Sequence, residues 1–463
     1  MTPSPTKKTV AIVGGGLAGL AAGCALVEVG FAVRLFERKP YLGGRASSYQ
    51  HPATGEVVDN CQHVLLGCCT NLIDFYRRTA TENKIRWFEQ LIFVEPGGRQ
   101  SVIKPSLLPE PLHTAPSFLS ASALSLRDKL GIARAMLALR HEVQDDGRQS
   151  FLDWLHQQRQ TERAIERFWK VVLVSALNED LDRCSPKYAA HVFRESFLKS
   201  RAGGRMGIPA IPLSDLYGAA GEFIRDRGGD VNLRCGVERF RAQADQVGVS
   251  CGGQEVATDY VVLAAPFNVL PQLLPEERQS EALRAMLSHF ESSPITGIHL
   301  WFDRQITNLE HAVLLDRNIQ WMFHKSKLLG RGDSGSYVEL VISSSKKQVE
   351  MGRQEIIDMA MRELAEFFPK AADARLEKAT VIKEVHATYS PRPGLDEYRP
   401  GPQSEWPRVF LAGDWTATGW PATMEGAVRS GYRAAEAICK AAGQYCKFLV
   451  ADLPAAGLSR LMM

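Results

Sequence analysis

The first forty residues alternate between apolar runs and glycine. Val10-Ala-Ile-Val13 is short and wholly apolar, as a strand buried on both faces requires, and Gly14-Gly15-Gly16 breaks it. Leu17 to Val29 is apolar over a helical length, Gly30 is placed to end that helix, and Phe31 to Phe36 predicts a second strand closing on Glu37. Strand, glycine turn, helix, strand and acid in this order predict a dinucleotide site. Gly14 allows the tight turn, Gly16 lets the backbone approach a pyrophosphate and Gly19 lets the helix pack on the strand, while Glu37, 18 residues past Gly19, can accept ribose hydroxyls. The phosphates would lie at the helix N-terminus around Leu17 and Ala18, where free N–H groups and the helix dipole favour anions.

Further along, Gly229 to Phe240, Val247 to Cys251, Tyr260 to Pro266 and Val409 to Ala412 predict short strands. Residues Pro105 to Leu124 are rich in apolar side chains but broken by four prolines, so they cannot form one long helix. The segment after it carries Leu126, Leu130, Ala133 and Leu137 at helical spacing, flanked by Arg127, Lys129, Arg134 and Arg140. Two readings fit that pattern: a helix packed on its own domain, or, through 105–140, a basic amphipathic surface lying peripherally on an anionic membrane.

Composition narrows the field. With 463 residues and 45% hydrophobic composition the chain can build two packed domains, and a net charge of +3 gives no electrostatic support for a nucleic-acid partner. The nine cysteines have no CxxC pair, so neither a disulfide framework nor a metal site is expected, and a cytoplasmic location follows. Val10 to Val33 mimics a secretion signal after Lys7-Lys8, but the glycine spacing accounts for it as part of the fold. No other run approaches the roughly 18 apolar residues of a membrane span.

Three blocks say which dinucleotide. Pro40-Tyr-Leu-Gly43-Gly44-Arg45, Val409-Phe-Leu-Ala-Gly413-Asp414-Trp415 and Pro421-Ala-Thr423-Met424-Glu425-Gly426, running on to Gly431, resemble the flavin amine oxidase and phytoene desaturase superfamily. The resemblance implies an α/β fold in which a discontinuous Rossmann-like FAD-binding domain (1–75, 205–266 and 383–443) carries an inserted α+β substrate domain (76–204 and 267–382), followed by a C-terminal tail (444–463). It implies FAD held by Gly14, Gly16, Leu17, Ala18, Gly19, Glu37, Arg38, Gly43, Gly44, Arg45, Gln62, His63, Val237, Gly413, Asp414, Thr423 and Met424. Within it Arg45 lies near the phosphates and flavin, Asp414 accepts from the ribityl chain, Val237 lies near the adenine, and the helix opening at Thr423 faces the pyrimidine edge of the flavin. A helix N-terminus there stabilises the negative charge of a reduced flavin. The linkage is expected to be non-covalent, since no cysteine lies between Cys251 and Cys439.

Asp59-Asn-Cys61-Gln62-His63-Val-Leu-Leu-Gly67, Leu173-Val-Ser-Ala-Leu-Asn178-Glu179-Asp180, Gly207-Ile-Pro-Ala-Ile-Pro-Leu-Ser-Asp-Leu-Tyr217 and Tyr389-Ser-Pro-Arg-Pro resemble more narrowly the hydroxysqualene dehydroxylases, which usually have glycine in place of Cys61. The implied reaction is reductive removal of an allylic hydroxyl from a long-chain isoprenoid lipid. That chemistry needs a proton donor, an apolar tube and a flavin. Candidates for the polar work are His63, as donor, orienter or structural hydrogen-bonder; Glu179 and Asp180, as acids or as a solvated loop; and Tyr389, as a polar or a packing aromatic. Carotenoid-type desaturation on the same scaffold and a non-catalytic prenyl-lipid carrier remain open. An amine oxidase fits less well, because Thr423 stands where that branch places an aromatic cage residue.

Overall fold

The computed structural model describes residues 7–242, 246–332 and 335–462. The apolar N-terminal run is a central strand, Thr9–Val13, of a five-stranded sheet ordered Asp230–Leu233, Ala32–Glu37, Thr9–Val13, Tyr260–Leu263, Val409–Leu411, every pair parallel. The chain moves outward on one side of Thr9–Val13 and then returns to the other, so the order reverses beside that strand. Crevices at the carboxyl ends of such strands are where α/β sheets bind ligands.

The helix Leu17–Glu28 is buried over nearly its whole length because it is covered twice, by the sheet and by the long helix Met424–Ala441. The two helices approach so closely at Gly431 that a Cβ there would lie 2.2 Å from the Ala18 carbonyl oxygen. Gly14, with φ of +112°, makes the turn out of the first strand. These contacts bring both ends of the chain to one site.

The second unit is built on a seven-stranded sheet, ordered Leu376–Tyr389, Ser292–Phe302, Ser336–Ser343, Trp321–His324, His311–Leu314, Leu91–Val94, Gln100–Ile103. All its pairs are antiparallel except His311–Leu314 with Leu91–Val94. The helix Arg353–Phe367 buries its apolar face against this sheet, and a helical layer within 126–198 has its own core around Trp169, Phe193 and Leu173. The fold is therefore α/β with an inserted α+β unit.

Three expectations change. A boundary at residue 383 falls inside the strand Leu376–Tyr389, whose first and last residues both pair within the substrate sheet. The C-terminal segment after 443 is tied down: Val450 and Asn71 exchange backbone-to-amide hydrogen bonds of 2.9 and 3.1 Å, and the Ala456 and Leu458 amides donate to the carbonyls of Lys199 and Glu110. Finally, Cys235 and Cys251 form a disulfide, because the antiparallel pairing of Val237 with Cys251 carries residues 16 apart in sequence to a Cα separation of 6.0 Å. Spacing alone does not reveal that pairing.

Candidate functional site

Two cavities meet in the middle of the molecule. The first, of about 250 Å³, opens at the carboxyl ends of Thr9–Val13, Tyr260–Leu263 and Val409–Leu411 and is bordered by Gly16, Leu17, Ala18, Gly43, Arg45, Gln62, His63, Gly413, Asp414, Thr423 and Met424. Eleven of the residues expected to hold a flavin dinucleotide thus line one space. Gly14, Gly19, Glu37, Arg38, Gly44 and Val237 are not among the residues that line it.

Gly16 supplies a fit test for a bound group. A Cβ there would meet nothing nearer than the Gly44 Cα at 3.8 Å, so no protein atom demands glycine at this position. A dinucleotide bound in the cavity would account for it, since the helix start at Leu17 and Ala18 has no side-chain cap and its N–H groups would be free for phosphate. FAD is such a dinucleotide. The Glu37 carboxylate, expected to meet the adenosine ribose, accepts from the Gly15 amide at 2.7 Å and the Lys39 amide at 2.8 Å and so shapes the glycine turn. Arg38 is exposed and packs against Gly236, one residue before Val237.

Across the cavity, Arg45 donates to Asp414 at 2.5 Å and to the Ala387 carbonyl at 3.1 Å. Asp414 is buried, and its loop is organised by Arg399, whose guanidinium donates to the carbonyls of Asp414, Thr416 and Trp420 at 2.9, 2.5 and 2.8 Å. Nothing in the local sequence marks Arg399 for this role. Thr423 caps the helix Met424–Ala441 by accepting from the Gly426 amide at 3.1 Å, so the positive end of that dipole opens on the cavity. Glu425 turns the other way: its buried carboxylate accepts from the Leu72 amide at 2.7 Å and the Asn71 amide at 3.1 Å, and so caps the helix Thr70–Arg78.

The candidate acids fare differently. His63 lines the cavity with Nδ1 2.7 Å from the Cys61 carbonyl; because a carbonyl only accepts, Nδ1 carries the proton. Burial lowers the His63 pKa, so the ring is neutral and offers Nε2 as a lone pair, an acceptor rather than a ready proton donor. Gln62 turns its carbonyl to Lys325 at 2.8 Å. Glu179 and Asp180 do not reach either cavity: Glu179 is buried in ion pairs with Lys346 and Arg183, and Asp180 pairs with Lys346 at 3.2 Å on the outside. What marks their block is Asn178, whose left-handed backbone (φ +54°) ends the helix Lys170–Leu177 and which itself lines the flavin cavity. Tyr389 is buried as a packing aromatic, edge-on to Phe290 and beneath the Arg399 guanidinium.

The second cavity, about 190 Å³, shares Val64, Ser175, Ala176, Thr423 and Met424 with the first. Its wall is otherwise mostly apolar, including Leu66, Phe93, Val171, Trp321 and Trp420. Two titratable side chains from one helix also reach it, His191 and Glu195, which the sequence did not single out. Among the described residues no cluster of three or more histidine, cysteine or carboxylate side chains could hold a metal ion.

A Rossmann-type sheet with its reversal beside a glycine-rich strand, a helix start facing a cavity and a second helix start opposite define a flavoprotein oxidoreductase that binds FAD. A sequence profile of the flavin containing amine oxidoreductases matches residues 17–439, and the chain belongs to that family. It is 27% identical to a 15-cis-phytoene desaturase of Synechococcus elongatus over 93% of this chain and 95% of that one. It is 28% identical to a hydroxysqualene dehydroxylase of Rhodopseudomonas palustris over 94% and 99% of the two chains. Among solved structures, an oxidoreductase from Methanosarcina mazei superposes with a TM-score of 0.71 at 17% identity, over 91% of this chain and 98% of that one. Cyclohexylamine oxidase from Brevibacterium oxydans gives 0.67 at 19%, over 95% and 100%. These two share the fold.

Proposed function

We propose that this FAD enzyme reductively removes the hydroxyl of hydroxysqualene to give squalene. The observation that carries the reading is the apolar cavity that meets the flavin cavity along Val64, Ser175, Ala176, Thr423 and Met424, and so can present a long isoprenoid chain to the cofactor. Similarity to a hydroxysqualene dehydroxylase supports the choice of lipid. Reduced FAD, when bound, supplies hydride. The chain's own residues hold the dinucleotide through Gly16, Arg45 and Asp414 and keep bulk water out with the apolar wall, while His63 stands neutral at the flavin cavity; the substrate hydroxyl leaves as water, with a proton that comes ultimately from solvent. A phytoene-type desaturase is the second reading, supported by comparable identity to that relative and by the same cavities. Anaerobic single turnover separates them. Reduced enzyme is expected to be reoxidised by hydroxysqualene with formation of squalene; reduction of the oxidised enzyme by phytoene, with no reaction of hydroxysqualene, would replace this reading with the desaturase. A sample that takes up no FAD would leave a lipid carrier.

The proposal includes the surface on which the lipid arrives, the inner face of the cytoplasmic membrane. Leu107, Leu112, Leu119, Leu126, Leu130 and Leu137 are exposed, and among them stand exposed Arg127, Arg134 and Arg140. The helix Leu126–Ala138 turns Ile132 and Ala135 inward instead. Lys129 does not belong to the basic fringe: it is buried and donates to the Leu119 carbonyl at 2.7 Å. No helix among the described residues is long and apolar enough to cross a membrane. The enzyme is expected to sediment with anionic vesicles and to be released by salt or by replacing the three arginines with Gln. Undiminished binding of that variant would remove the surface from the proposal.

A further inference from the structure

An apolar cavity for a pure hydrocarbon needs no histidine or carboxyl, yet one helical segment brings one of each to this wall. His191 and Glu195 lie one helical turn apart, so both project from the same face of the segment Pro186–Leu198, and both reach the apolar cavity. The helix widens by one residue over Arg194–Leu198, a π-type turn that costs regular hydrogen bonding and often accompanies a functional site. The His191 ring packs edge-on against Trp420, 4.7 Å between centroids, and its Nε2 is buried without a hydrogen-bond partner. Glu195 is buried too and is anchored from behind by Lys199, with contacts of 2.6 and 2.7 Å to its two oxygens. A buried polar atom left unpaired is costly, so an unpartnered ring nitrogen on a side chain that borders a cavity calls for a partner from outside the chain, reached by a turn of the ring.

We propose that His191 and Glu195 form the hydroxyl-binding site of the apolar cavity and select an oxygenated isoprenoid over the corresponding hydrocarbon. This rests on the reading of the enzyme as a dehydroxylase and identifies where that substrate differs from a desaturase's. The substrate hydroxyl has one donor and two acceptor positions, and a neutral imidazole with a carboxyl beside it can satisfy both kinds. Burial pushes the His191 imidazole down to about 4, so it enters the pair uncharged, and burial also holds the Glu195 carboxyl above its ordinary range in spite of Lys199. The rest of the wall, including Phe93, Val171 and Trp321, accepts the hydrocarbon chain without discrimination. A ligand without the hydroxyl leaves Nε2 unpaired, and that difference is the source of selectivity.

The test compares two ligands of the same length, hydroxysqualene and squalene, binding to the FAD-loaded enzyme and followed by tryptophan fluorescence, for which Trp420 and Trp321 are placed in the cavity wall. The wild type is expected to bind the alcohol about tenfold more tightly, the worth of one well-made buried hydrogen bond. In His191→Phe and Glu195→Leu that ratio should fall towards one while squalene binds as before, and Glu195→Gln, which keeps both hydrogen-bonding functions, should restore most of it. Flavin content measured in the same samples reports whether each variant has folded. A wild type that binds the two ligands equally, or leucine and phenylalanine variants that are folded and keep the full preference, overturns the hydroxyl site. Turnover of hydroxysqualene by those folded variants at the wild-type rate would leave the dehydroxylase reading standing without it; oxidation of phytoene in place of hydroxysqualene would remove the reading itself.

Discussion

The two cavities share a wall but are built on opposite principles. The flavin cavity is made of backbone: glycine turns, helix starts and a few fixed charges such as Arg45 and Asp414. The apolar cavity is made of side-chain surface drawn from segments far apart in the chain, from Leu66 to Trp420, with His191 and Glu195 among its few polar side chains. A cofactor with many hydrogen-bonding atoms constrains geometry atom by atom, whereas an isoprenoid chain constrains only shape and dryness. The first cavity should therefore fail sharply when one group is removed, and the second should tolerate change except at its polar pair.

The largest effect should come from Asp414→Ala. It strips the partner from Arg45 and removes an acceptor at the flavin cavity, and losing one member of a largely buried ion pair costs about 3–5 kcal/mol. FAD affinity should drop at least about a hundredfold, giving nearly colourless protein after gel filtration. A variant that still elutes fully yellow would show that the polar cavity is as forgiving as the apolar one.

Glu37→Ala comes next. The carboxylate accepts two backbone N–H bonds that hold the turn through Gly15 and the chain at Lys39, so the substitution should cost roughly 3 kcal/mol, shared between turn stability and FAD binding. Glu37→Gln keeps one acceptor oxygen and should lose less on both counts. Unchanged melting and unchanged FAD content in the alanine variant would take Glu37 out of the comparison.

This contrast also explains what the sequence could tell. Gly14, Gly16, Glu37 and Asp414 stood out in the sequence because the glycine turn and the strand ends that carry them follow from local backbone geometry, which fixes residue type and spacing together. Arg399 was not legible: it acts on carbonyls of a loop whose path only the tertiary fold defines. His191 and Glu195 were hidden for the same reason, since a histidine and a glutamate at helical spacing have no meaning until the face they occupy is known to border a cavity. Glu179 and Asp180 misled because acidic residues in a particular block look like chemistry, when the constraint lay in the left-handed Asn178 beside them and the ion pairs with Lys346. The fold, by contrast, was readable from short apolar strands and glycine turns, although the strand Leu376–Tyr389 crosses the boundary that the family resemblance implied.

A buried polar cluster behind the flavin wall sharpens the comparison through pH. Lys325 faces two carboxylates, Asp59 at 2.7 Å and Glu339 at 3.5 Å, and also holds Gln62, which lines the flavin cavity. One ammonium cannot neutralise both. Asp59 takes the short contact, and burial with the Asp59 charge nearby pushes the Glu339 carboxyl from 4.5 to about 7. A carboxyl that holds its proton more tightly in the folded state stabilises that state fully below pH 4.5, and the benefit is lost as pH rises through about 7. The wild type should therefore lose about 1–3 kcal/mol of stability between roughly pH 5 and 8 from this group, a slope that Glu339→Gln should flatten. Identical pH profiles of melting for the two proteins would show that Lys325 satisfies both carboxylates.

Thr423 belongs to both cavities and gives the smallest and most discriminating test. Its hydroxyl caps the helix Met424–Ala441 through the Gly426 amide, a polar duty owed to the flavin side, while the same side chain borders the apolar cavity. Thr423→Val keeps the shape and replaces the hydroxyl with a methyl. The lost cap should cost about 1 kcal/mol, roughly 1–2 °C in melting temperature for a chain of this size, and should weaken the helix-start field that favours a reduced, negatively charged flavin. Thr423→Ser retains the capping oxygen and should leave both properties near wild type. Squalene binding, which depends on shape and apolar surface, should be unchanged or slightly tighter in the valine variant. If Thr423→Val instead lowered squalene affinity while sparing flavin reduction, the wall between the cavities would belong to the lipid side, and the division between a polar, exacting site and an apolar, tolerant one would have to be redrawn at that residue.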